Sequence, residues 1–346
     1  MTYGQNTDWV NMWRDNIEIL EQRNVNFLLI HGAIGDMISS LPPLVFARKN
    51  HAIELNMNVW VARYQVELVR HLIGMNGINI YPLDEFKLKT DEKDKVGLGS
   101  MNGLKPPIIT RNRFNLVDYA YATLLDTQCE EDWQRCYPHR APLGDRVLDN
   151  PYIVFPTGAT NQPSVMKPEL LGGLIEWAVE NGYTPVLVGK SSTDVVMMDK
   201  GKPHKLTITD MTNDLPKSLL DRCIDMRNQT SLMELRDLCG HAEAVVGIDG
   251  GTLHLAGTTE VPIVYGCTRV SPRHRPIVRH NKKNWRLIHV EPRDLECSGC
   301  QSRWNLLYNH DFSKCIYNDA ACTDKLHVED FITALENLGV LALKRR

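Results

Sequence analysis

Apolar runs of strand length alternate with stretches of helical periodicity along most of the chain. Residues 24–50 have the pattern of a strand, a glycine turn and a helix, and residues 59–73 and 78–83 continue the alternation. Such alternation is typical of a parallel sheet covered by helices. Residues 8–22 place apolar side chains three and four positions apart, which predicts an amphipathic helix that packs on the first domain. The alternative for this helix is contact with a partner or a membrane surface.

The alternation restarts in the second half of the chain, where it predicts a doubly wound parallel sheet with right-handed crossovers. The predicted strands are 152–156, 184–189, 223–226, 244–249 and 262–266. The predicted helices are 168–182, a segment near 192–200, 231–242 and 252–260. The fold class is therefore α/β with two Rossmann-like domains.

Two segments interrupt the alternation. Residues 84–107 are rich in lysine and glycine and lack the apolar residues of a core element, so they are predicted to form a surface loop. Residues 139–151 contain Pro142, Gly144 and Pro151, which is typical of a linker between domains. The predicted division of the chain is 1–24 for the first helix, 25–145 and 146–335 for the two Rossmann-like domains, and 336–346 for a C-terminal tail.

Length and charge narrow the class of protein. A chain of 346 residues exceeds what one hydrophobic core usually organises, which agrees with two domains. The net charge of -3, with acidic and basic residues interspersed, excludes a dedicated nucleic-acid binder. The first residues lack the pattern of a secretory signal, and the apolar runs are shorter than the roughly 20 residues of a membrane span. We therefore expect a cytoplasmic protein, with peripheral contact to the inner membrane as an option.

Four turns follow predicted strands at the edge of the sheets where open α/β folds bind ligands. In the first, HGAIGD, backbone amides at the helix start can face an anion, and the helix dipole stabilises the carboxylate of Asp36. Two interpretations of Asp36 remain open at this point: it caps the helix, or it faces a ligand. The arrangement lacks the G-x-G-x-x-G of a dinucleotide-binding dehydrogenase.

The turns of the second half contain small, hydroxylated and charged residues. Lys167 stands just before Pro168, a residue suited to the first helical position, so this lysine can meet a diphosphate or can be a solvated surface residue. After the strand that ends at residue 248, Asp249 is followed by two glycines, Thr252 and His254. The glycines allow phosphates to approach the backbone closely, and the alternative is a helix cap followed by a core histidine.

Five motifs in this order resemble those of glycosyltransferase family 9, the ADP-heptose heptosyltransferases of lipopolysaccharide core synthesis. They are Gly35-Asp36-MISSL-Pro42, PTGAT at 156–160 with Lys167-Pro168, residues 223–238, Asp249-GGTL-His254, and the segment from Pro262 to Thr268. Five ordered motifs are far more specific than one glycine turn.

The resemblance implies a glycosyltransferase-B fold with the acceptor on domain 25–145 and a nucleotide-diphosphate sugar, with an ADP-sugar favoured, on domain 146–335. It implies inverting transfer without a catalytic metal or other cofactor, with Asp36 as the general base. The donor-binding set that it implies is Thr157, Gly158, Lys167, Asp194, Asp249, Gly250, Gly251, Thr252, His254 and Thr268. Gly35, Arg269 and Arg273 are the implied contacts to the acceptor or an anion. Asp194 stands one position later than the family's ribose-binding acid.

Four cysteines lie close together in the sequence of loop 297–322. Cys297, Cys300, Cys315 and Cys322 have the density of one tetrahedral site for zinc or iron. The alternative is reduced thiols in a packed loop. Some relatives of the family hold iron in such a segment, which makes a structural metal the working hypothesis.

The sequence alone leaves the identity of the acceptor open. The arginine-rich run 269–286 is either a solvated face or a surface that attracts an anionic donor or acceptor. The acceptor is a glycan, a protein hydroxyl or a modified nucleobase, and a catalytically silent sugar-nucleotide binder is the alternative from another class. The sequence is also compatible with a homo-oligomer.

Overall fold

A computed structural model shows two parallel sheets flanked by helices. It describes residues 25–29, 33–50, 57–74, 77–85, 96–98, 141–160, 164–191, 194–199, 202–272, 276–279, 286–295, 297–300, 315, 317 and 319–343, without the side chains of 25–28, 47–50, 96–98, 194–199 and 202–207. The predicted helix 8–22 lies outside the described residues. Among the described residues, no helix is both long enough and apolar enough to cross a membrane.

The first sheet has four parallel strands in the order β3-β2-β1-β4. Its strands are β1 Val25–Leu28, β2 Met57–Val61, β3 Ile78–Pro82 and β4 Val96–Leu98. Its helices are α1 Ile34–Ser39, α2 Leu41–Asn50 and α3 Val66–Ile73, with 3-10 turns at Arg63–Gln65 and Leu83–Glu85. Along β2 the buried and half-buried residues alternate, and Met57, Val59 and Val61 face the core.

One strand of this sheet lies where the sequence predicted a loop. β4 falls within residues 84–107, and it pairs with β1 from Asn26 to Leu28. The prediction was wrong at residues 96–98, because a strand of three residues with only Val96 and Leu98 as apolar side chains is too short to give a recognisable pattern. Pairing with the central strand β1 determines its conformation, rather than its own pattern.

The second sheet has six parallel strands in the order β11-β7-β5-β12-β13-β14. Its strands are β5 Tyr152–Pro156, β7 Thr184–Val188, β11 Ile224–Asp225, β12 Ala244–Ile248, β13 Ile263–Gly266 and β14 Leu287–Val290. The helices are α4 Pro168–Glu180, α5 Lys217–Leu220, α6 Leu232–Gly240, α7 Gly251–Gly257, α8 Ala321–Asp324 and α9 Val328–Asn337. Because the strand order follows the 3-2-1-4-5-6 pattern of a Rossmann sheet, the predicted fold class is confirmed.

Two small antiparallel pairs accompany this sheet, and one of them replaces a predicted helix. β6 Gly158–Ala159 pairs with β10 Thr209–Asp210, and β8 Asp194–Asp199 pairs with β9 Lys202–Thr207. The helix predicted near 192–200 is therefore wrong. The β-branched pair Val195-Val196 and the two residues between the strands are signals of a hairpin that helical periodicity alone does not detect.

The buried apolar residues of the two sheets form a continuous core. One buried cluster includes Leu29 and Val59 from the first half and Val154, Val245 and Leu253 from the second. A second cluster lies on the other face of the six-stranded sheet, where α9 packs on α4. Since the first cluster includes residues of both halves, apolar packing holds the two sheets against one another.

The segment between the two sheets is fixed by a buried arginine. Arg236 on α6 is fully buried and donates hydrogen bonds to the carbonyl oxygens of Ala141 and Pro142, both at 2.9 Å. The same Pro142 carbonyl accepts from the ring of His71 on α3 at 2.8 Å. Residues 141–150 contain no helix or strand, so these bonds hold the segment in place. The predicted domain boundaries themselves stay predictions.

Candidate functional site

The carboxyl ends of adjacent central strands define the candidate site. In the six-stranded sheet, β5 and β12 are neighbours, and their connections leave to opposite sides of the sheet. Thr157 follows β5 directly and Asp249 follows β12 directly. This is the topological switch point, where open α/β sheets bind ligands. In the first sheet, α1 follows β1, which has the corresponding position between β2 and β4.

The turn after β1 contacts the turn after β12 from the other sheet. A Cβ atom added to Gly35 would lie 2.7 Å from Cδ2 of the His254 ring, closer than real Cβ contacts occur. A Cβ atom added to Gly251 would lie 3.3 Å from Cβ of Ile34. The starts of α1 and α7 therefore pack directly against each other, and glycine at position 35 makes room for the imidazole ring.

Asp36 lies in the first turn of α1, on the side of the molecule where the two turns meet. Ala33 occupies the N-cap position of α1, and no side chain caps it. Asp36 is therefore not the N-cap residue, and the interpretation that it caps the helix is wrong. Its half-buried position one residue after Gly35 puts it next to the residue that contacts His254.

Asp249 and His254 form a buried polar pair beside that contact. Nε2 of His254 lies 3.5 Å from Oδ1 of Asp249, and each side chain is 2% exposed. Within the residues that the structure describes, neither ring nitrogen of His254 has a hydrogen-bond partner. Buried polar atoms normally find partners, so the ring can accept or donate a bond to a ligand. Gly250 precedes α7 in extended conformation, and Thr252 is half-buried in its first turn.

The turn after β5 packs closely on the turn after β7. The Thr157 side chain is buried and donates to the carbonyl oxygen of Val188 at 3.3 Å. A Cβ atom added to Gly158 would lie 2.3 Å from the backbone oxygen of Lys190, so only glycine fits there. Asn228, at a φ of 59°, donates to the Ser191 hydroxyl at 2.7 Å and joins this turn to the segment after β11.

Lys167 occupies the N-cap position of α4, and Pro168 follows at the first helical position. Its Nζ atom forms an ion pair of 2.9 Å with Oδ1 of Asp324 on α8, and the lysine side chain is 42% exposed. Lys167 is therefore a partly exposed cation at the start of a 13-residue helix, where the dipole adds to its positive charge. It is not an isolated solvated lysine.

Two arginines of the run 269–286, Arg269 and Arg279, are buried in the part of the run that the structure describes. Arg279 is buried and donates to the carbonyl oxygens of Thr259, Val261 and Arg286. Burial lowers the pKa of its guanidinium to about 10. Arg269 is also buried, next to the fully buried Thr268. The solvated-face interpretation is wrong for both arginines. For Arg279 the reason is that backbone carbonyls near strand ends need donors, which the sequence pattern does not reveal.

Two of the predicted contacts lie outside what the structure describes. Arg273 is not among the described residues, and Asp194 is placed in β8 without a description of its side chain. Three residues that contact these turns were not predicted from the sequence. They are Asn228, which bonds to Ser191, Gly299, which bonds to Thr268, and Asp324, which pairs with Lys167. Only the left-handed φ angles of Asn228 and Gly299 have a sequence signal, since asparagine and glycine favour that region.

The four cysteines of loop 297–322 share one neighbourhood. Burial, together with a smaller effect of the nearby Cys300, Cys315 and Cys297, raises the pKa of Cys322 to about 12. Sγ of Cys315 accepts a hydrogen bond from the backbone N–H of Tyr317 at 3.4 Å. Among the described residues, no three His, Cys, Asp or Glu side chains lie in an arrangement that would hold a metal ion. The thiols are thus close enough to affect each other's charge, and the metal stays a prediction.

Two Rossmann-like sheets that meet at the carboxyl ends of their central strands define a protein of the glycosyltransferase-B type, as the solved structures of similar fold also indicate. One of them is TibC from enterotoxigenic E. coli H10407, a dodecameric iron-containing heptosyltransferase that was crystallised with ADP-D-beta-D-heptose. It superposes with a TM-score of 0.70 at 16% sequence identity, over 92% of this chain and 77% of that chain. E. coli ADP-heptose lipopolysaccharide heptosyltransferase II superposes with a TM-score of 0.58 at 14% identity, over 90% and 99%.

The family follows from comparison of sequences. The model of glycosyltransferase family 9 (heptosyltransferase) matches residues 105–298. Lipooligosaccharide heptosyltransferase 2 of Haemophilus influenzae (strain ATCC 51907 / DSM 11121 / KW20 / Rd) is 29% identical over 174 residues, which cover 49% of this chain and 45% of that protein. The match thus spans about half the length of this curated relative. The chain belongs to glycosyltransferase family 9, which confirms the resemblance of its motifs.

Proposed function

We propose that this chain transfers a heptose-type sugar from an ADP-linked donor to an acceptor hydroxyl. The observation that carries the proposal is the contact of Gly35 with His254, which joins the turn of Asp36 to the turn of Asp249. One turn belongs to each sheet, as a two-substrate site between an acceptor domain and a donor domain requires. Membership of family 9 supports the reaction class, and the ADP-heptose complex of TibC supports the donor.

The donor diphosphate would lie at the carboxyl end of the six-stranded sheet. Lys167 and the start of α4 supply positive charge, which the departing diphosphate requires when no metal neutralises it. Gly158 and Gly251 let the turns around the proposed diphosphate position pack closely, on the backbone of Lys190 and on Ile34 respectively. His254 offers its two buried ring nitrogens to the sugar, and Asp249 lies beside one of them.

Asp36 would act as the general base. The acceptor oxygen forms a bond to the anomeric carbon of the donor sugar as the bond between that carbon and the diphosphate oxygen breaks. The acceptor proton passes to the Asp36 carboxylate, and the diphosphate leaves with both electrons of the broken bond. A single displacement of this kind inverts the anomeric configuration, and a positioned carboxylate is suited to the proton transfer.

The proposed acceptor is a sugar hydroxyl of a lipooligosaccharide. The curated relative is named a lipooligosaccharide heptosyltransferase, and its match includes nearly half of this chain. Protein hydroxyls and modified nucleobases have no corresponding support, so they serve as control acceptors. A sugar acceptor also agrees with the net charge of -3, because such an acceptor needs no strongly basic field.

Calorimetric titration of the purified chain with ADP-heptose, ADP, UDP and GDP tests the donor assignment. We expect binding of ADP-heptose and ADP in preference to UDP and GDP. Lys167→Met is expected to weaken the affinity for ADP-heptose by roughly tenfold, the value of one charge-assisted hydrogen bond to phosphate. Lys217→Met is the matched control, since Lys217 is an exposed lysine on α5 of the same domain. Equal affinity of Lys167→Met and wild type would contradict the phosphate role.

We also propose that the four cysteines bind one structural metal ion, zinc or iron. Their donor chemistry fits, because thiolate sulfurs are preferred ligands of zinc and iron, and the sulfur of Cys315 accepts a backbone N–H, as is usual around thiolate ligands. The glycine between the first two cysteines, Gly299, adopts a φ of 67°. A bound ion would join residues 297–300 to residues 315–322 and would take no part in the transfer, since four thiolates leave no open position.

Metal analysis of the purified chain tests this second proposal. We expect about one zinc or iron ion per chain in the wild type and a large loss in Cys322→Ser. Cys223→Ser is the matched control, because Cys223 directly precedes β11, the edge strand of the six-stranded sheet opposite to β14. Wild-type protein that folds fully without any metal would overturn the proposal.

A further inference from the structure

The cysteine-rich segment, of which the structure describes residues 297–300, 315, 317 and 319–324, contacts the proposed donor site at two separate points. The first is the ion pair of 2.9 Å between Lys167 and Asp324. Asp324 is the last residue of α8 and stands two positions after Cys322. The short helix that contains a cysteine therefore also provides the carboxylate that holds the lysine at the start of α4.

The second point is the turn after β13. The backbone N–H of Gly299, between Cys297 and Cys300, donates a hydrogen bond of 3.0 Å to the carbonyl oxygen of Thr268. Gly299 has a φ of 67°, and a Cβ atom there would lie 3.2 Å from Cβ of Ser271. The turn that contains Thr268 is thus packed against the first cysteine pair.

We propose that Asp324 and Gly299 are positioning residues for the sugar-nucleotide site, so that the cysteine-rich segment orders both sides of the donor. This inference rests on the proposed function. Asp324 directs the Lys167 ammonium, and Gly299 fixes the backbone of the 268–271 turn. Neither residue contacts the donor itself in this proposal. The segment thus has a role in donor binding as well as in the stability of the domain.

The chemistry of the lysine explains why an acidic partner aids an anionic ligand. An ammonium group has three N–H donors, so Lys167 can keep one bond to Asp324 and offer the other two to phosphate oxygens. A free lysine side chain has four flexible bonds, and binding must restrict them at a cost in conformational entropy. The ion pair with Asp324 restricts these bonds before the donor binds, although the side chains of Lys167 and Asp324 are 42% and 52% exposed.

A double-mutant cycle tests the role of Asp324. We expect Asp324→Asn to weaken the binding of ADP-heptose roughly three- to fivefold, the usual limit for a partly exposed ion pair. In a Lys167→Met background the same change should have no further effect, because the two residues act through one contact. Asp221→Asn, at an exposed aspartate at the end of α5, is the control.

The affinity of Gly299→Ala for ADP-heptose, compared with that of Gly339→Ala, tests the contact between Gly299 and the turn of Thr268. Both glycines have φ angles in the left-handed region, 67° and 81°, so both variants suffer the same backbone strain. Only at Gly299 does the added methyl group meet a neighbour, since no atom lies within 4 Å of a Cβ atom at Gly339. We expect Gly299→Ala alone to weaken ADP-heptose binding, to about the degree of Asp324→Asn, with melting temperatures of the two variants matched.

The outcomes separate this inference from the proposed function. Suppose that the wild-type protein binds ADP-heptose and that Asp324→Asn and Gly299→Ala bind it equally well or more tightly. This result would overturn the inference and leave the proposed function intact. Additive losses in the double-mutant cycle would also overturn it. Wild-type protein that binds no ADP-heptose would overturn the proposed function, and the inference with it.

Discussion

Replacement of Asp36 by asparagine is expected to lower the rate of glycosyl transfer by about 100- to 10,000-fold, the contribution of a positioned general base. Asparagine keeps the size and the polar character of the side chain but cannot accept the acceptor proton. The affinity for ADP-heptose should stay at the wild-type value, since the proposed donor contacts lie on the other sheet. The measurement is the rate of ADP release under saturating donor, together with a calorimetric titration of the donor.

Asp149→Asn provides the comparison for that experiment. Asp149 is an exposed aspartate in the segment between the two sheets, so its replacement changes the net charge equally at a distance from the site. Its transfer rate should equal that of the wild type. A transfer rate of Asp36→Asn within a factor of about three of the wild type would exclude Asp36 as the base, because even a weak general base contributes more.

Replacement of Arg236 by methionine is expected to lower the free energy of unfolding by about 3 kcal/mol or more. The guanidinium donates to the carbonyl oxygens of Ala141 and Pro142 and to the hydroxyl oxygen of Thr258. Methionine fills a similar volume without donors, so buried acceptors lose their partners. The melting temperature should fall by roughly 4 °C in a thermal unfolding scan, because the unfolding entropy is about 2.1 cal/mol/K per residue.

Arg222→Met separates this effect from the simple loss of a positive charge. Arg222 is exposed at the end of α5, and its replacement should change the melting temperature by less than about 2 °C, as is usual for surface positions. Unfolding of Arg236→Met at the wild-type temperature would show that the bonds to residues 141–142 do not hold that segment. The account of the linker would then be wrong.

Much of the fold was predictable because its strongest signals are local. The alternation of apolar runs and helical periods predicted five of the six strands of the second sheet, and β14 was not among them. The motifs around Asp36, Lys167 and Asp249 were predictable for the same reason, since each lies between a strand and the end of the helix that follows it. Pro168 at the first position of α4 is a local signal of the same kind.

The features that the sequence did not predict depend on distant partners. β4 is a strand because β1 lies beside it, and β8 pairs with β9 although its own periodicity was interpreted as helical. Arg279 is buried because three carbonyl oxygens at loop ends meet there, which no pattern within 269–286 reveals. The contacts Gly35 to His254 and Lys167 to Asp324 likewise join residues that are far apart in the chain.

Transfer itself is the most direct test of the central claim that the turns of Asp36 and Asp249 form one active site. Purified protein is incubated with ADP-heptose and a lipooligosaccharide that lacks heptose, and ADP release and the mass of the acceptor are followed together. We predict release of ADP in step with addition of one heptose to the acceptor, and loss of both in Asp36→Asn. Tight binding of ADP-heptose without transfer to any hydroxyl acceptor, unchanged by Asp36→Asn, would contradict the account and indicate a sugar-nucleotide-binding protein.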